Sequence, residues 1–146
     1  MLPAKQLRAL VGAHFIPPNA SDFTEHKIKA FHNHPRYDDG HEDYDLTLYE
    51  LKKPIVIRLN AKAIHLPDPT DSVLTIRKFV VSGWGEMKLK TMSNALMAAK
   101  VNYVAMPKCV EAWGSKVNPR IHICAGGKKD ACVGDSGGKN YGIHYD

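Results

Sequence analysis

The stretch Asp130-Ala-Cys-Val-Gly-Asp-Ser-Gly-Gly138, "DACVGDSGG", lies near the end of the 146-residue chain. A serine set between glycines and preceded by an aspartate is typical of a nucleophile loop. Glycine tolerates the positive φ angles that a tight turn needs. Such a turn can direct the N–H groups of Gly134 and Ser136 at one point, as stabilisation of an acyl-transfer oxyanion requires. A serine hydroxyl also needs an adjacent base, held in place by a third group.

The length and composition of the chain indicate what kind of protein carries this motif. A chain of 146 residues predicts one domain, and 44% hydrophobic residues suffice for a modest core. The sequence contains no apolar run of 18 residues, so no membrane-spanning helix is predicted. The net charge of +5 comes from scattered Lys and Arg residues and indicates a basic surface. No basic helix or stacking-aromatic motif accompanies it, which argues against nucleic acid and leaves heparin-like polyanions open.

The pattern of apolar residues predicts an all-β domain, because short β-type runs alternate with clusters of Pro, Gly, Asn and Asp. The clearest run is Asp45–Leu51, whose leucines at 46, 48 and 51 predict one buried face that slips near its end. One short helix is predicted over 107–113, with Pro near its start and Gly114 just after it. The other predicted strands are Leu7–Val11, Lys27–Phe31, Ile55–Leu59, Lys78–Gly83, Lys100–Val104 and Arg120–Ala125.

Five further segments carry a resemblance, together with the nucleophile loop. They are "FHNHPRYD" at 31–38, "YDLTLYEL" at 44–51, "AIHLPDP" at 63–69, "VSGWGEM" at 81–87 and "CVEAWG" at 109–114. With "IHICAGGKKDACVGDSGG" at 121–138, they resemble in order the segments of the chymotrypsin-like (trypsin-fold, peptidase family S1) serine endopeptidases. The resemblance implies a partial double six-stranded antiparallel β-barrel. It places the later part of the first barrel and the earlier part of the second in residues 1–138, and leaves 139–146 as a tail outside the family pattern.

The resemblance also implies site roles. Ser136 corresponds to the nucleophile, and Asp45 to the buried aspartate that orients a histidine. Gly134 and Ser136 correspond to the oxyanion hole. Asp130 corresponds to the floor of a specificity pocket, where a buried carboxylate favours Arg or Lys through charge-assisted hydrogen bonds. Asp135 corresponds to the partner of the N-terminal amine that zymogen cleavage creates.

These assignments have alternatives that the sequence leaves open. Asp130 is also compatible with a solvated loop acid, and Asp45 with an ordinary residue at the start of a strand; the nearby Asp43 fits the motif less well. Three cysteines leave one without an internal partner. The resemblance pairs Cys109 with Cys124 and leaves Cys132 unpaired.

The chain also departs from the family pattern. The family's catalytic histidine lies in an Ala-Ala-His-Cys segment, and none of the eight histidines here stands in such a frame. His14 in "VGAHF" fits a later segment better. The Ile-Val-Gly-Gly-like activation terminus and the Pro-Leu that follows the nucleophile loop are also absent. We therefore expect a chain truncated at both ends and inactive as written.

No cofactor or metal is predicted. His26, His32, His34 and His41 lie close in sequence, but surface histidine pairs are commoner than zinc sites. The loop from His14 to His26 resembles a calcium loop of the family but has Ala13 where a carboxylate is expected. Asn19 begins an N-glycosylation sequon, Asn-Ala-Ser, which matters only in a secreted chain.

Two main functional hypotheses follow. In the first, the protein is a secreted serine endopeptidase that cleaves after Arg or Lys, with protein or peptide substrates and protease inhibitors as partners, and no nucleic acid or membrane. In the alternative, it is a non-catalytic protease homologue that acts by binding. Retention of Ser136, Asp45 and Asp130 favours the first. A basic polyanion-binding module is a third interpretation.

Overall fold

The computed structural model of the chain describes residues 3–17, 22–38, 43–68, 70, 78–87, 91–128 and 130–138, and the backbone of 140–143. The chain divides into two compact units, Met1–Leu66 and Pro67–Asp146. Strands dominate both units, and the all-β prediction is confirmed. Within the described residues, neither unit contains a closed barrel, which is consistent with an incomplete trypsin-like architecture.

The first unit is built on a three-stranded antiparallel sheet. Its strands are β1 (Arg8–Val11), β2 (Thr24–Asn33) and β3 (Thr47–Leu51), in the order β1-β2-β3. A 3₁₀ turn at Ala4–Gln6 precedes β1. Lys29 on β2 donates a hydrogen bond across the sheet to Glu50 on β3 and holds the pKa of the Glu50 carboxyl below its usual range.

The second unit is built on a four-stranded antiparallel sheet that contains the larger part of the core. Its strands are β4 (Lys78–Gly83), β5 (Met97–Val104), β6 (Cys124–Gly126) and β7 (Asn140–Ile143), in the order β6-β5-β4-β7. Phe79 and Val81 are two residues apart and share a face of β4, where they pack with Val101 of β5. Full burial of such side chains contributes roughly 1.5–3 kcal/mol each.

The predicted helix is confirmed as α1 (Met106–Trp113), with Pro107 in its first turn. Gly114 ends it with a φ of 58° and begins a 3₁₀ turn, Gly114–Lys116. Cys109, the buried residue of α1, forms a disulfide with Cys124 at the start of β6, with Cα atoms 6.2 Å apart. The disulfide therefore ties the helix to the edge of the four-stranded sheet, as the resemblance implied.

Loss of this disulfide is expected to destabilise the second unit by about 3 kcal/mol, because the bridge closes a loop of 15 residues. The test compares urea unfolding of a Cys132→Ser variant with that of the same variant carrying Cys109→Ala and Cys124→Ala. The Cys132→Ser background removes thiol exchange with the free cysteine. Equal unfolding midpoints for the two proteins would show that the bridge adds nothing to stability.

Three sequence predictions about strands are wrong. Residues 55–59 form no strand and contain only an isolated bridge between Arg58 and Ala61. The strand predicted over 120–125 is confined to β6. Leu46 and Leu48 are 58% and 65% exposed rather than buried. Leu48 lies on β3, an edge strand of its sheet, and Leu46 just precedes it, so their alternation marks a face that this unit leaves uncovered.

Candidate active site

The nucleophile loop lies against the turn that follows β4. The N–H of Gly85 donates to Asp135 Oδ1 at 2.8 Å, although the two residues are 50 positions apart. The N–H of Glu86 donates to the carbonyl of Val133, also at 2.8 Å. The other carboxylate oxygen of Asp135 accepts from the N–H of Cys132 at 3.0 Å. Two motifs recognised separately in the sequence thus form one hydrogen-bonded structure.

The glycines of "VSGWGEM" are explained by this contact. A Cβ atom at Gly83 would overlap the carboxylate of Asp135. A Cβ atom at Gly85 would lie 2.5 Å from both Oδ1 and Cγ of Asp135. At the other side of the loop, a Cβ at Gly138 would lie 2.6 Å from the carbonyl oxygens of Asp135 and Ser82. Close backbone approach therefore requires glycine at all three positions.

The loop itself is a tight turn around Ser136. Gly134 has a φ of 90° and Gly137 a φ of 78°. The N–H of Asp135 donates to the carbonyl of Cys132 at 3.0 Å, and the N–H of Gly138 donates to the carbonyl of Asp135 at 2.8 Å. Within the described part of the chain, the N–H groups of Gly134 and Ser136 donate to no backbone carbonyl. Gly134 and Ser136 are both exposed residues, as a loop that a substrate has to reach requires.

A cavity of about 520 Å³ adjoins this loop. Asp130 and Asp135 line it together with Lys128, residues of β4 and β5 and the turn after β4. The Asp130 side chain is exposed, and its Oδ1 accepts from the N–H of Ala131 at 2.8 Å. The buried carboxylate expected from the resemblance is therefore not found in this unit. No histidine is among the described residues that line the cavity.

Asp45 belongs to the first unit and is also exposed. It follows Tyr44, whose φ of 58° is uncommon for a residue other than glycine. The Tyr44 ring stacks on His34 with centroids 4.7 Å apart, and the Arg36 guanidinium lies 5.8 Å from its centroid. This cluster fixes the backbone just before Asp45. Sequence reasoning missed Tyr44, because nothing in its spacing signals the positive φ. The pairing of Asp45 with Ser136 through a histidine stays a prediction.

The remaining sequence predictions have varied outcomes. Cys132 is free and exposed. Among the described residues, no cluster of three His, Cys, Asp or Glu side chains could hold a metal ion. Nor does any described helix have the length and apolar character needed to cross a membrane. Asn19 and His41 lie outside the described residues, as do residues 139 and 144–146 of the predicted tail.

Comparison with known proteins connects these features. The family model for trypsin matches residues 2–139. The chain belongs to the trypsin family. The predicted resemblance to the S1 serine proteases is therefore confirmed, and the disulfide and the Ser136 loop are features of a trypsin-family chain.

Individual relatives agree with this placement. A trypsin from Simulium vittatum is 39% identical over 119 residues, which is 77% of this chain and 48% of the relative. Trypsin 5G1 from Aedes aegypti is 36% identical over 118 residues, or 77% of this chain and 44% of the relative. Transmembrane protease serine 11G from Mus musculus is 33% identical over 125 residues, or 82% of this chain and 30% of the relative. This trypsin-family chain thus spans less than half the length of each of these relatives.

Proposed function

We propose that the protein is a serine-type endopeptidase that cleaves after Arg or Lys, with Ser136 as its nucleophile. The observation that carries this proposal is the geometry of the Ser136 loop. Asp135 anchors the loop to the turn after β4 through the N–H of Gly85, while Ser136 stays exposed. In the part of the chain that the structure describes, the N–H groups of Gly134 and Ser136 donate to no backbone carbonyl. A fixed loop with such donors suits charge stabilisation, because they need no rearrangement as the reaction proceeds.

The proposed reaction has two halves. Ser136 Oγ attacks the substrate carbonyl carbon, and a histidine base takes the hydroxyl proton. The oxyanion accepts hydrogen bonds from the N–H groups of Gly134 and Ser136. The histidine returns its proton to the leaving amine, an acyl-enzyme remains on Ser136, and water hydrolyses it by the same route. Asp45 would orient the histidine and stabilise its protonated form.

The sequence contains no histidine that can be identified as the general base of this reaction. None of its eight histidines stands in the family frame. Among the described residues, none lines the cavity that Asp130 and Asp135 help to form. We propose that the 146-residue chain alone does not hydrolyse peptides, and that the active protease contains a histidine from outside it.

A fluorophosphonate probe tests this proposal, because it reacts with an activated serine hydroxyl. We expect the protein from its natural source to be labelled on the peptide that contains Ser136. We expect the recombinant 146-residue chain and its Ser136→Ala variant to be labelled equally weakly. Mass spectrometry of the labelled peptides gives the modified residue, and peptide mapping of the same sample gives the span of the natural protein.

Two outcomes would contradict the proposal. Efficient labelling of Ser136 in the 146-residue chain would show that one of its own histidines, or another group, serves as base. A natural protein that spans only residues 1–146 and resists the probe would favour the alternative, a non-catalytic homologue that acts by binding. The exposure of Asp130 favours that alternative, because the specificity pocket of the first hypothesis calls for a buried carboxylate.

The proposed location is extracellular. The trypsin family is typically extracellular. The Cys109–Cys124 disulfide supports the same location, because disulfides persist in oxidising compartments. Proteins or peptides with accessible Arg or Lys are the proposed substrates, and protease inhibitors are further proposed partners.

A further inference from the structure

A second cavity lies in the first unit, apart from the residues assigned to proteolysis. It has a volume of about 430 Å³ and lies between the start of β2 and the segment that follows β3. Its lining includes four cationic side chains, from Lys27, Lys52, Lys53 and Arg58. We refer to it as the basic groove. A hydrogen bond from the N–H of Lys52 to the carbonyl of Lys27, at 2.9 Å, holds its two sides together.

The charge of the basic groove is uncompensated within the described part of the chain. Glu25 is the single carboxylate in its lining, and it pairs with Arg8 at 3.3 Å. The four groove cations are exposed, and none forms an ion pair with a described carboxylate. Like charges that line one cavity repel one another, and an anionic ligand would relieve that repulsion.

The remainder of the lining indicates what kind of anion fits. Three of the four cations are lysines, which act as compact point charges without the planar fork of arginine. The lining contains no Phe, Tyr or Trp, and its one aromatic ring, that of the half-buried His26, is hydrogen-bonded to Thr24 at 3.1 Å. The groove therefore has no row of rings on which successive bases of a nucleic acid could stack. Exposed aliphatic surface from Val56 can contact the C–H face of a sugar ring. We propose that the basic groove binds a sulfated polysaccharide, through clustered sulfates and independently of the protease site.

The test measures binding of the 146-residue chain to heparin by calorimetry at several salt concentrations. The groove variant carries Lys52→Ala and Lys53→Ala. The matched control carries Lys108→Ala and Lys116→Ala, which remove the same charge from exposed positions of the second unit. We expect the groove variant to bind at least about tenfold more weakly, and the control to stay within about twofold of the wild type. Each lost contact should lower the slope of log affinity against log salt by about one, as for other polyanion contacts.

Three results would overturn the proposal. Equal loss in the groove variant and the control would show binding to overall charge alone. Polyglutamate of matched charge that binds as tightly as heparin, with the same dependence on Lys52 and Lys53, would indicate an acidic protein partner. Tighter binding of single-stranded DNA than of heparin would indicate nucleic acid. Circular dichroism of each variant establishes that the comparison is between folded proteins.

Discussion

The Gly85→Ala substitution is expected to lower the free energy of unfolding of the second unit by about 3 kcal/mol, the sum of an overpacking term and a lost charge-assisted hydrogen bond. The new Cβ would lie 2.5 Å from Oδ1 of Asp135, so the carboxylate has to leave its position. Its departure breaks the bonds from the N–H groups of Gly85 and Cys132. The Ser136 loop would then lose its anchor to the turn after β4.

Urea unfolding followed by tryptophan fluorescence measures this effect. The experiment is best done with Trp113→Phe in every protein, because Trp84 then reports alone from between Gly83 and Gly85. Gly126→Ala is the matched control. A Cβ there would make only ordinary contact, 3.6 Å from Asp130 Oδ2, and a change within about 0.5 kcal/mol is expected for a substitution without strain.

A double-mutant cycle identifies the cause. If the overlap with the carboxylate is responsible, Gly85→Ala should cost less than about 1 kcal/mol in an Asp135→Ala background. Asp135→Asn should by itself cost about 1.5–3 kcal/mol, because its amide can accept from one N–H but presents donors to the other. Additive effects in the cycle would mean that Gly85 is required for its own turn and not for the contact with Asp135.

The nucleophile loop shows how far sequence reasoning reaches. The spacing of Gly134, Ser136 and Gly138 is enough to predict a turn, because positive φ angles and close backbone approach both require glycine. The "VSGWGEM" segment stands out in the sequence through its resemblance to a segment of the family. The bond between Asp135 and Gly85 could not be predicted from the residues alone, because nothing in either local pattern specifies a partner 50 positions away.

The strands show the same limit for burial. The sequence predicts β4 at its observed bounds. The prediction succeeds because this apolar run forms a strand with a neighbouring strand on each side. The run at 55–59 has comparable β propensity but no strand partner beyond the Arg58–Ala61 bridge. Propensity of this kind expresses fit to a pleated, half-buried surface. Where no neighbouring strand or sheet covers the segment, an alternating apolar pattern predicts burial that does not occur. Leu46 and Leu48 are further examples.

The proposed function predicts that the Asp130→Ser substitution, in the protein expressed from its own gene, lowers kcat/KM for Arg and Lys substrates by roughly 30- to 4,000-fold. Removing one partner of a desolvated charge pair costs about 2–5 kcal/mol, and each 1.4 kcal/mol is a factor of ten. Asp130 is exposed in this chain. The large effect therefore requires that further protein and the substrate itself cover the carboxylate during catalysis.

The measurement compares hydrolysis of two peptides that differ only in having Arg or Phe before the cleaved bond. Asp130→Ser should lower the rate for Arg and leave that for Phe within a few-fold, since Phe makes no charge pair. Lys128→Ala is the matched control, because Lys128 lines the same cavity with the opposite charge. Removal of the Lys128 side chain should maintain or increase the rate for Arg.

A fall in kcat/KM of less than about tenfold for Asp130→Ser would identify Asp130 as a solvated loop acid, because an exposed charge pair is worth only about 0–1 kcal/mol. The Arg and Lys preference would then have to come from elsewhere in the protease.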